Sequence, residues 1–343
     1  MSAIRIAIIG AGRWGPNHVR NFDGLEGCSV AAVADPSAAG LARIQKQFPG
    51  VVCRSSHLEV LEKDNVDAVV VATPTSTHYE VVRDCLAAGK HVLCEKPLAD
   101  TGPRSWELRS LAKEKGRVLM VGHVFLFNPG IEYLVNHVRS RADGKTFYIH
   151  STRTNLGPFR KDVNAAWDLA SHDLYILNAM TDSRPEEVSV TGGCFLQRGV
   201  EDIAFMTLFY PDGVIGNVHV SWIDPRKIRQ ITVVSETKMV TWDEFGSPGP
   251  IMIHDRSAQW DPHYNTFGEF QLLAREGDIV VPRINMKEPL AQQAREFLAR
   301  CNGAQINPGA RGTPEEGAAV VNILEAATES LREKKSIRVR YGT

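Results

Sequence analysis

The 343-residue chain lacks a charge bias: 39 lysines and arginines stand against 40 aspartates and glutamates, a net charge of −1. A chain this neutral has no overall cationic field to draw it onto a phosphate backbone, so nucleic acid is not its expected partner. It also lacks a long apolar run. The longest, Val118 to Phe127, spans ten residues and contains His123, whereas a membrane-spanning helix needs about 20. No membrane span is therefore expected. The chain does not open on a basic segment followed by a long apolar stretch. Met1 to Ile6 runs straight into a strand pattern, so no secretory leader is expected. The six cysteines, at positions 28, 53, 85, 94, 194 and 301, form no CxxC pair and no metal-ligand spacing. They read as buried thiols of a reducing compartment, which makes the cytoplasm the expected location and leaves no metal site expected. Internal repeats and low-complexity linkers are missing too.

What is present is the composition of an ordinary globular protein, 43% hydrophobic and 23% charged, at a length that predicts two domains. Over the first 122 residues, short runs rich in Val, Ile and Ala recur at Ile4–Ile9, Val30–Ala34, Ala68–Ala72, His91–Cys94 and Val118–Val121. Such runs suit strands buried on both faces. Between them lie segments with helical periodicity. In Ser76–Ala88, residues Val81, Val82, Cys85 and Leu86 share one face and Gly89 supplies the stop. This alternation predicts a doubly wound α/β domain with a parallel sheet over residues 1–122. Residues 123–343 read differently. Asn128-Pro129-Gly130 opens a helix, a strand follows near Thr146–Thr154, and a helix runs from about Ala165 to Met180. Strand patterns then succeed one another at Val188–Cys194, Ile203–Phe209, Val214–Val220, Arg229–Val234 and Met239–Trp242. Their turns fall at Pro211-Asp212-Gly213, Asp224-Pro225 and Gly246-Ser247-Pro248. Helices near 290–301 and 314–334 close the chain, with a last strand, Ser336–Arg340, able to pair back onto a sheet edge. The second domain is therefore expected to be α+β, with its last strand or helix able to pack back on the first.

Gly10-Ala11-Gly12-Arg13-Trp14-Gly15 follows directly on the strand Ile4–Ile9. In that setting Gly10 makes a tight turn, Gly12 lets the backbone approach a pyrophosphate, and Gly15 lets helix and strand pack closely. The following helix N-terminus offers unpaired N–H groups to the anion. Asp35, 20 residues after Gly15, ends the next strand. Its carboxylate can accept hydrogen bonds from a ribose and repels a 2′-phosphate, which points to NAD rather than NADP. Thr73 and Pro74, after the Ala68–Ala72 run, are positioned to line a cofactor, with His78 on the helix beyond. Cys94-Glu95-Lys96-Pro97 places a charged pair at another strand end. Such a pair is costly unless used or satisfied, and a lysine desolvated beside a cofactor becomes a proton donor or acceptor. In Trp167-Asp168-Leu169-Ala170-Ser171-His172-Asp173, the acid Asp168 and the imidazole of His172 lie one helical turn apart. They can form a proton relay or hold a sugar diol. Each group also has a plain structural reading: a capped helix start for the glycines and Asp35, a solvent-facing His78, a strand-end ion pair for Glu95 and Lys96, and a surface pair for Asp168 and His172.

Together, GxGxxG, Asp35, Thr-Pro-x3-His from Thr73 to His78, Glu-Lys-Pro at 95–97 and Asp-x3-His from Asp168 to His172 resemble the glucose–fructose oxidoreductase/inositol dehydrogenase (Gfo/Idh/MocA) family. The resemblance covers essentially the whole chain. It implies a Rossmann domain, then an α+β domain built on a large open, mostly antiparallel sheet through which such proteins form homodimers or homotetramers. It implies pyridine-nucleotide-dependent redox at a secondary alcohol of a sugar or cyclitol. Cofactor contacts are then expected from Gly10, Gly12, Arg13, Trp14, Gly15, Asp35, Thr73, Pro74, His78, Glu95 and Lys96. Lys96, Asp168 and His172 are the expected catalytic residues, and together with Arg153 and Asn155 the expected substrate contacts. The run Arg153-Thr154-Asn155-Leu156-Gly157 and the segment through Asp162-Val163-Asn164 to Asp173 resemble members that act on nucleotide-linked amino sugars. UDP-N-acetylglucosamine or its uronate, oxidised at C3, is the substrate this implies. Most such members carry proline where this chain has Ser171. Arg160 is a further candidate for an anionic or polyhydroxyl substrate.

The expected chemistry is hydride transfer between nicotinamide C4 and a secondary C–H, with the alcohol proton taken by His172 or Lys96 and Asp168 orienting His172 or holding a neighbouring hydroxyl. Inositol or a free monosaccharide is the alternative substrate. A non-catalytic, dinucleotide-binding regulatory protein is the alternative from another class.

Overall fold

A computed structural model describes residues 3–160, 162–260, 272–275, 277–304 and 311–342. The chain divides into two compact units, Met1–Phe127 with Lys287–Glu325 and Tyr341–Thr343, and Asn128–Met286 with Ala326–Arg340.

In the first unit strands and helices alternate: β1 (Ile4–Ile9), α1 (Gly15–Asp23), β2 (Cys28–Ala34), α2 (Ala38–Gln47), β3 (Val52–Arg54), α3 (His57–Lys63), β4 (Ala68–Val71), α4 (Thr75–Ala87), β5 (His91–Cys94), α5 (Gly102–Glu114) and β6 (Leu119–Val121). The six strands form one parallel sheet in the order β3-β2-β1-β4-β5-β6. Ile6, Ala7 and Ile8 are successive on β1 and so point to alternate faces, yet all three are completely buried. That is why the strand reads as a continuous apolar run rather than an alternating one. On α4, Val81, Val82, Cys85 and Leu86 are buried, and Gly89 stands past its end at φ +73°. β3 is the strand the apolar runs do not reveal: it has three residues and lies at the sheet edge with Val52 exposed.

The second unit begins with α6 (Pro129–Arg139). Asn128 caps it, its Oδ1 accepting from the N–H groups of Gly130 at 2.9 Å and Ile131 at 3.3 Å. β7 (Thr146–Leu156) follows, then a π-helical turn (Ala166–Ala170) that runs into α7 (Ser171–Thr181). Next come β8 (Glu187–Gly193), β9 (Ile203–Phe209), β10 (Ile215–Ser221), β11 (Ile223–Ser235), β12 (Met239–Asp243), β13 (Ile251–His254), β14 (Ser257–Trp260), β15 (Leu272–Arg275) and β16 (Ile279–Val280). The last elements of the chain are α8 (Pro289–Cys301), α9 (Pro314–Glu333) and β17 (Ile337–Arg338). Nine of the strands make one sheet, β16-β13-β12-β11-β7-β10-β9-β8-β17, antiparallel throughout except where β7 meets β10. β14 and β15 pair separately. Ala204, Met206 and Leu208 on β9, with Val218 and Val220 on β10, form the buried face. Gly216 lets α7 come close, since a Cβ there would lie 2.9 Å from Leu177 Cδ2. Tyr148, Phe205, Phe209 and Ile215 are exposed.

Three expectations change. The second domain does not take all of residues 123–343. Phe127 still belongs to the first unit, and Lys287–Glu325 returns to it. The reason is the apolar face of α8, where Phe297 is fully buried with its ring edge-on to Phe22 of α1 at 6.2 Å. Asp224-Pro225 does not separate two elements but lies inside β11, where the register with β7 shifts between Ile223 and Ile228. Pro225 has no N–H for the ladder, and the strand absorbs it as an irregularity. The helix carrying Asp168 opens as a π turn, so its backbone there bonds i to i+5 rather than i to i+4. Among the described residues no helix is long and apolar enough to cross a membrane.

Candidate active site

In a parallel sheet every strand ends on the same edge, and there β1, β2, β4 and β5 deliver Gly10, Asp35, Thr73 and Glu95-Lys96. Gly10 adopts φ +108°, and a Cβ on it would meet the Ala72 carbonyl oxygen at 2.5 Å. Gly15 is the first residue of α1, and its Cβ would lie 2.0 Å from the carbonyl oxygen of Gly10. Gly12 differs: nothing stands within 4 Å of its Cβ position, and Gly12, Arg13 and Trp14 are all exposed. The turn thus closes tightly on the protein side and is open on the other, as a cradle for a pyrophosphate requires. Asp35 accepts from the Ala11 N–H at 2.6 Å with one oxygen and from the Ser37 N–H at 2.7 Å with the other. A carboxylate has about four lone-pair sites, so ribose hydroxyls can still be accepted.

Lys96 is half-buried at the end of β5, and the Lys96–Pro97 peptide is cis. Glu95 is engaged by the buried His18 of α1, Nε2 to Oε1 at 2.9 Å, which ties the helix after the glycine turn to the strand end that carries the lysine. Past β6, His123 is fully buried. Burial, and then the charge of Lys96, push its pKa down to about 3, so it is neutral at physiological pH. Thr73 is half-buried and Pro74 exposed, with Thr77 Oγ1 donating to the Pro74 carbonyl and accepting from Thr73 Oγ1, both at 2.9 Å. His78 is not a surface group. It is 1% exposed, its ring held between the carbonyl oxygens of Pro97 (Nδ1, 2.7 Å) and Thr73 (Nε2, 2.9 Å). Expected among the cofactor contacts, it stands here as a brace between the Thr73-Pro74 loop and the Glu-Lys-Pro turn.

In the second unit Asp168 and His172 stand at the junction of the π turn and α7. Asp168 accepts from Arg160 Nη1 at 3.1 Å and from the indole N–H of Trp222 at 3.3 Å. Arg160 is also bound by Asp162; burial works against its charge, but the two carboxylates outweigh it and raise its pKa. His172 Nδ1 lies 3.1 Å from the hydroxyl of Tyr175. Asn155 turns its amide onto the Gly157 carbonyl at 2.6 Å.

Arg153 is likewise buried and paired. Expected at the substrate, it is 2% exposed and makes a bidentate pair with Asp173, Nε to Oδ2 at 2.9 Å and Nη2 to Oδ1 at 3.0 Å. Ser151 Oγ adds a bond to the same carboxylate at 2.7 Å. Burial opposes the guanidinium charge, and Asp173 more than offsets it. The pair bolts β7 to α7. Arg153→Met is therefore expected to cost about 3–5 kcal/mol, because it strands a buried carboxylate, lowering the melting temperature by roughly 10 °C. Replacing both partners, Arg153→Met with Asp173→Leu, should recover most of that loss. A thermal unfolding series of the three variants checks this; an Arg153→Met protein with unchanged melting would contradict it.

His18, Tyr175 and Trp222 are residues the motifs did not disclose. His18, on the turn of α1 next to Gly15, carried a signal in its position; for Trp222, on no motif and 54 residues from Asp168, there was none.

A profile of an oxidoreductase family with an NAD-binding Rossmann fold matches residues 4–123, and that of the GFO/IDH/MocA C-terminal domain matches residues 135–241. Inositol 2-dehydrogenase 2 of Paenarthrobacter aurescens (strain TC1) is 34% identical over 223 residues, 62% of this chain and 67% of that protein. UDP-N-acetylglucosamine 3-dehydrogenase of Acidithiobacillus ferrooxidans is 28% identical over 247 residues, 71% and 75% of the two chains. The crystal structure of GenD2 from gentamicin A biosynthesis, in complex with NAD, shares the fold with a TM-score of 0.83 at 23% identity, covering 99% of this chain and 97% of that one. The chain belongs to the GFO/IDH/MocA family of oxidoreductases, and its first domain is of the NAD-binding Rossmann type. The family and the fold class are those its motifs point to.

Proposed function

We propose that the protein is an NAD-dependent dehydrogenase acting on a secondary alcohol of a sugar, a nucleotide-linked amino sugar such as UDP-N-acetylglucosamine or its uronate. The observation that carries the reading is one edge of the first unit's sheet, where an open glycine turn follows β1, the Asp35 carboxylate follows the adjoining β2, and the half-buried Lys96 follows β5, one strand (β4) beyond β1. Bound nicotinamide supplies the hydride acceptor or donor. Gly10, Gly12 and Gly15 hold the pyrophosphate with the N–H groups of the α1 N-terminus, Arg13 and Trp14 flank it, and Asp35 holds the ribose. Thr73, Pro74, Glu95 and Lys96 line the remainder. Lys96 and His172 are the two groups that can take the alcohol proton, and Asp168 and Asn155 hold substrate hydroxyls. Asp168, fixed by Arg160 and Trp222, presents a carboxylate of set orientation.

The amino-sugar substrate is supported by the likeness to the UDP-N-acetylglucosamine enzyme over 71% of the chain. Inositol or a free monosaccharide is the second reading, supported by the higher identity, 34%, to the inositol enzyme. The exposed aromatic face of the second-unit sheet supports assembly into a homodimer or homotetramer. NADH absorbance recorded against a panel of UDP-sugars, inositol and free monosaccharides tests the reading. Turnover of a UDP-amino sugar supports it, turnover of inositol alone favours the second, and tight NADH binding without turnover anywhere on the panel overturns both.

Asp35 makes a separate prediction. A carboxylate about 4 Å from a 2′-phosphate is worth several kcal/mol even when partly screened, so NAD should bind roughly 100-fold more tightly than NADP. Fluorescence titration with both cofactors, repeated on Asp35→Ser, measures the ratio. Tighter NADP binding by the unaltered protein would refute the assignment.

A further inference from the structure

We propose that Tyr175 is a positioning residue: its hydroxyl accepts a hydrogen bond from Nδ1–H of His172, which leaves Nε2 as the atom that takes the proton of the substrate alcohol. The proposal rests on the reading of His172 as a proton-transfer group.

Tyr175 follows His172 by three residues on α7, so the two side chains share a face. Their rings meet edge to face, centroids 5.9 Å apart at 78°, and the hydroxyl lies 3.1 Å from Nδ1. Tyr175 is 2% exposed, so water does not compete freely for this bond, and a buried phenol hydroxyl needs partners of its own. The choice of a phenol matters. A carboxylate on Nδ1 would bring a negative charge and favour the imidazolium. A neutral hydroxyl can accept as well as donate, so it holds the ring's orientation and can take Nδ1–H without adding that charge, and the imidazole can both gain and lose a proton. The charged groups around the pair fit this. Arg153, whose charge acts on Tyr175, is neutralised by its bidentate contact with Asp173, and Asp168 is held by Arg160 and Trp222. In oxidation the O–H bond of the alcohol breaks and its proton passes to Nε2, while the hydride of the same carbon passes to the nicotinamide. The imidazolium so formed keeps its Nδ1–H on Tyr175. Reduction runs the same steps backwards.

The test is long-range 1H–15N NMR of the NAD-saturated protein, with the His172 ring assigned by loss of its signals in His172→Gln. The neutral ring is expected to show the Nδ1–H pattern. In Tyr175→Phe, which keeps the ring and removes the acceptor, it should shift toward Nε2–H. Turnover in that variant should fall about tenfold, the value of one hydrogen bond, with the KM for NAD unchanged and the pH profile displaced. An Nε2–H pattern in the unaltered protein overturns the proposal, whether or not the variant folds. So does a Tyr175→Phe protein whose tautomer and pH profile are unchanged. Full turnover in His172→Ala would instead refute the proton-transfer reading, a failure the NMR spectra distinguish from the first.

Discussion

Replacing Lys96 with methionine, or His172 with alanine, is expected to lower kcat about 10²–10⁴-fold, the range for losing one general acid–base group, with NAD still bound. The two variants should differ in kind. Lys96 stands on the cofactor sheet edge, beside Glu95, which His18 engages, and its charge reaches the buried His123. Methionine keeps the length and apolar bulk of the side chain and removes only the ammonium, so its effect reports on charge and proton transfer. His172 lies on α7 in the second unit, with its Nδ1 beside the Tyr175 hydroxyl, and alanine there removes the imidazole while keeping the helix. If His172 is the proton acceptor, its loss should flatten the limb of the pH–rate profile that falls on the acid side, while Lys96→Met retains that limb at lower amplitude. The opposite pattern assigns the proton to Lys96. Stopped-flow single turnovers with NAD and the substrate found on the panel separate the chemical step from product release. Near-normal turnover in both variants would end the assignment.

The second large effect concerns the glycine turn. Gly15→Ala should abolish cofactor binding and destabilise the first unit by about 3 kcal/mol or more, because overpacking here cannot be relieved. The new methyl group would sit 2.0 Å from the Gly10 carbonyl oxygen and 3.0 Å from its carbon. Both are backbone atoms, so no side chain can swing away. Gly12→Ala makes the contrast. Its Cβ meets no protein atom within 4 Å, so the melting temperature should hold, and only the approach of a ligand is obstructed. NAD affinity is then expected to fall about 10–100-fold, roughly 1.4–2.7 kcal/mol. Isothermal titration with NAD, paired with thermal unfolding, checks both variants. A Gly12→Ala protein that binds NAD normally would mean the pyrophosphate does not lie on this turn.

Much of the candidate site lies on short stretches of chain, and those stretches could be read. A parallel strand buried on both faces must be apolar at consecutive positions, so β1, β4 and β5 announced themselves, and the residues just past their ends were candidates by position alone. β3 did not, because three residues at a sheet edge with Val52 exposed leave no pattern. Arg153 and His78 looked like functional groups because charged and imidazole side chains are costly to bury. In both cases the cost is met by partners in other elements, Asp173 for Arg153 and the Thr73 and Pro97 carbonyls for His78. The return of α8 to the first unit was open in part, since a last strand or helix was expected to be able to pack back: its amphipathic face showed that it packs, and only Phe22 shows on what.

Local pattern alone determined the kind of sheet and the place of the glycine turn, and it put Asp35 and Lys96 at strand ends and Asp168 and His172 about one turn apart, because backbone periodicity and strand ends are written in neighbouring residues. Which of the polar groups are buried and which partners they meet was decided by the tertiary structure. His18 meets Glu95 across 77 positions, and Trp222 meets Asp168 across 54. Charge and hydrogen-bond balance are settled only among residues that folding brings together.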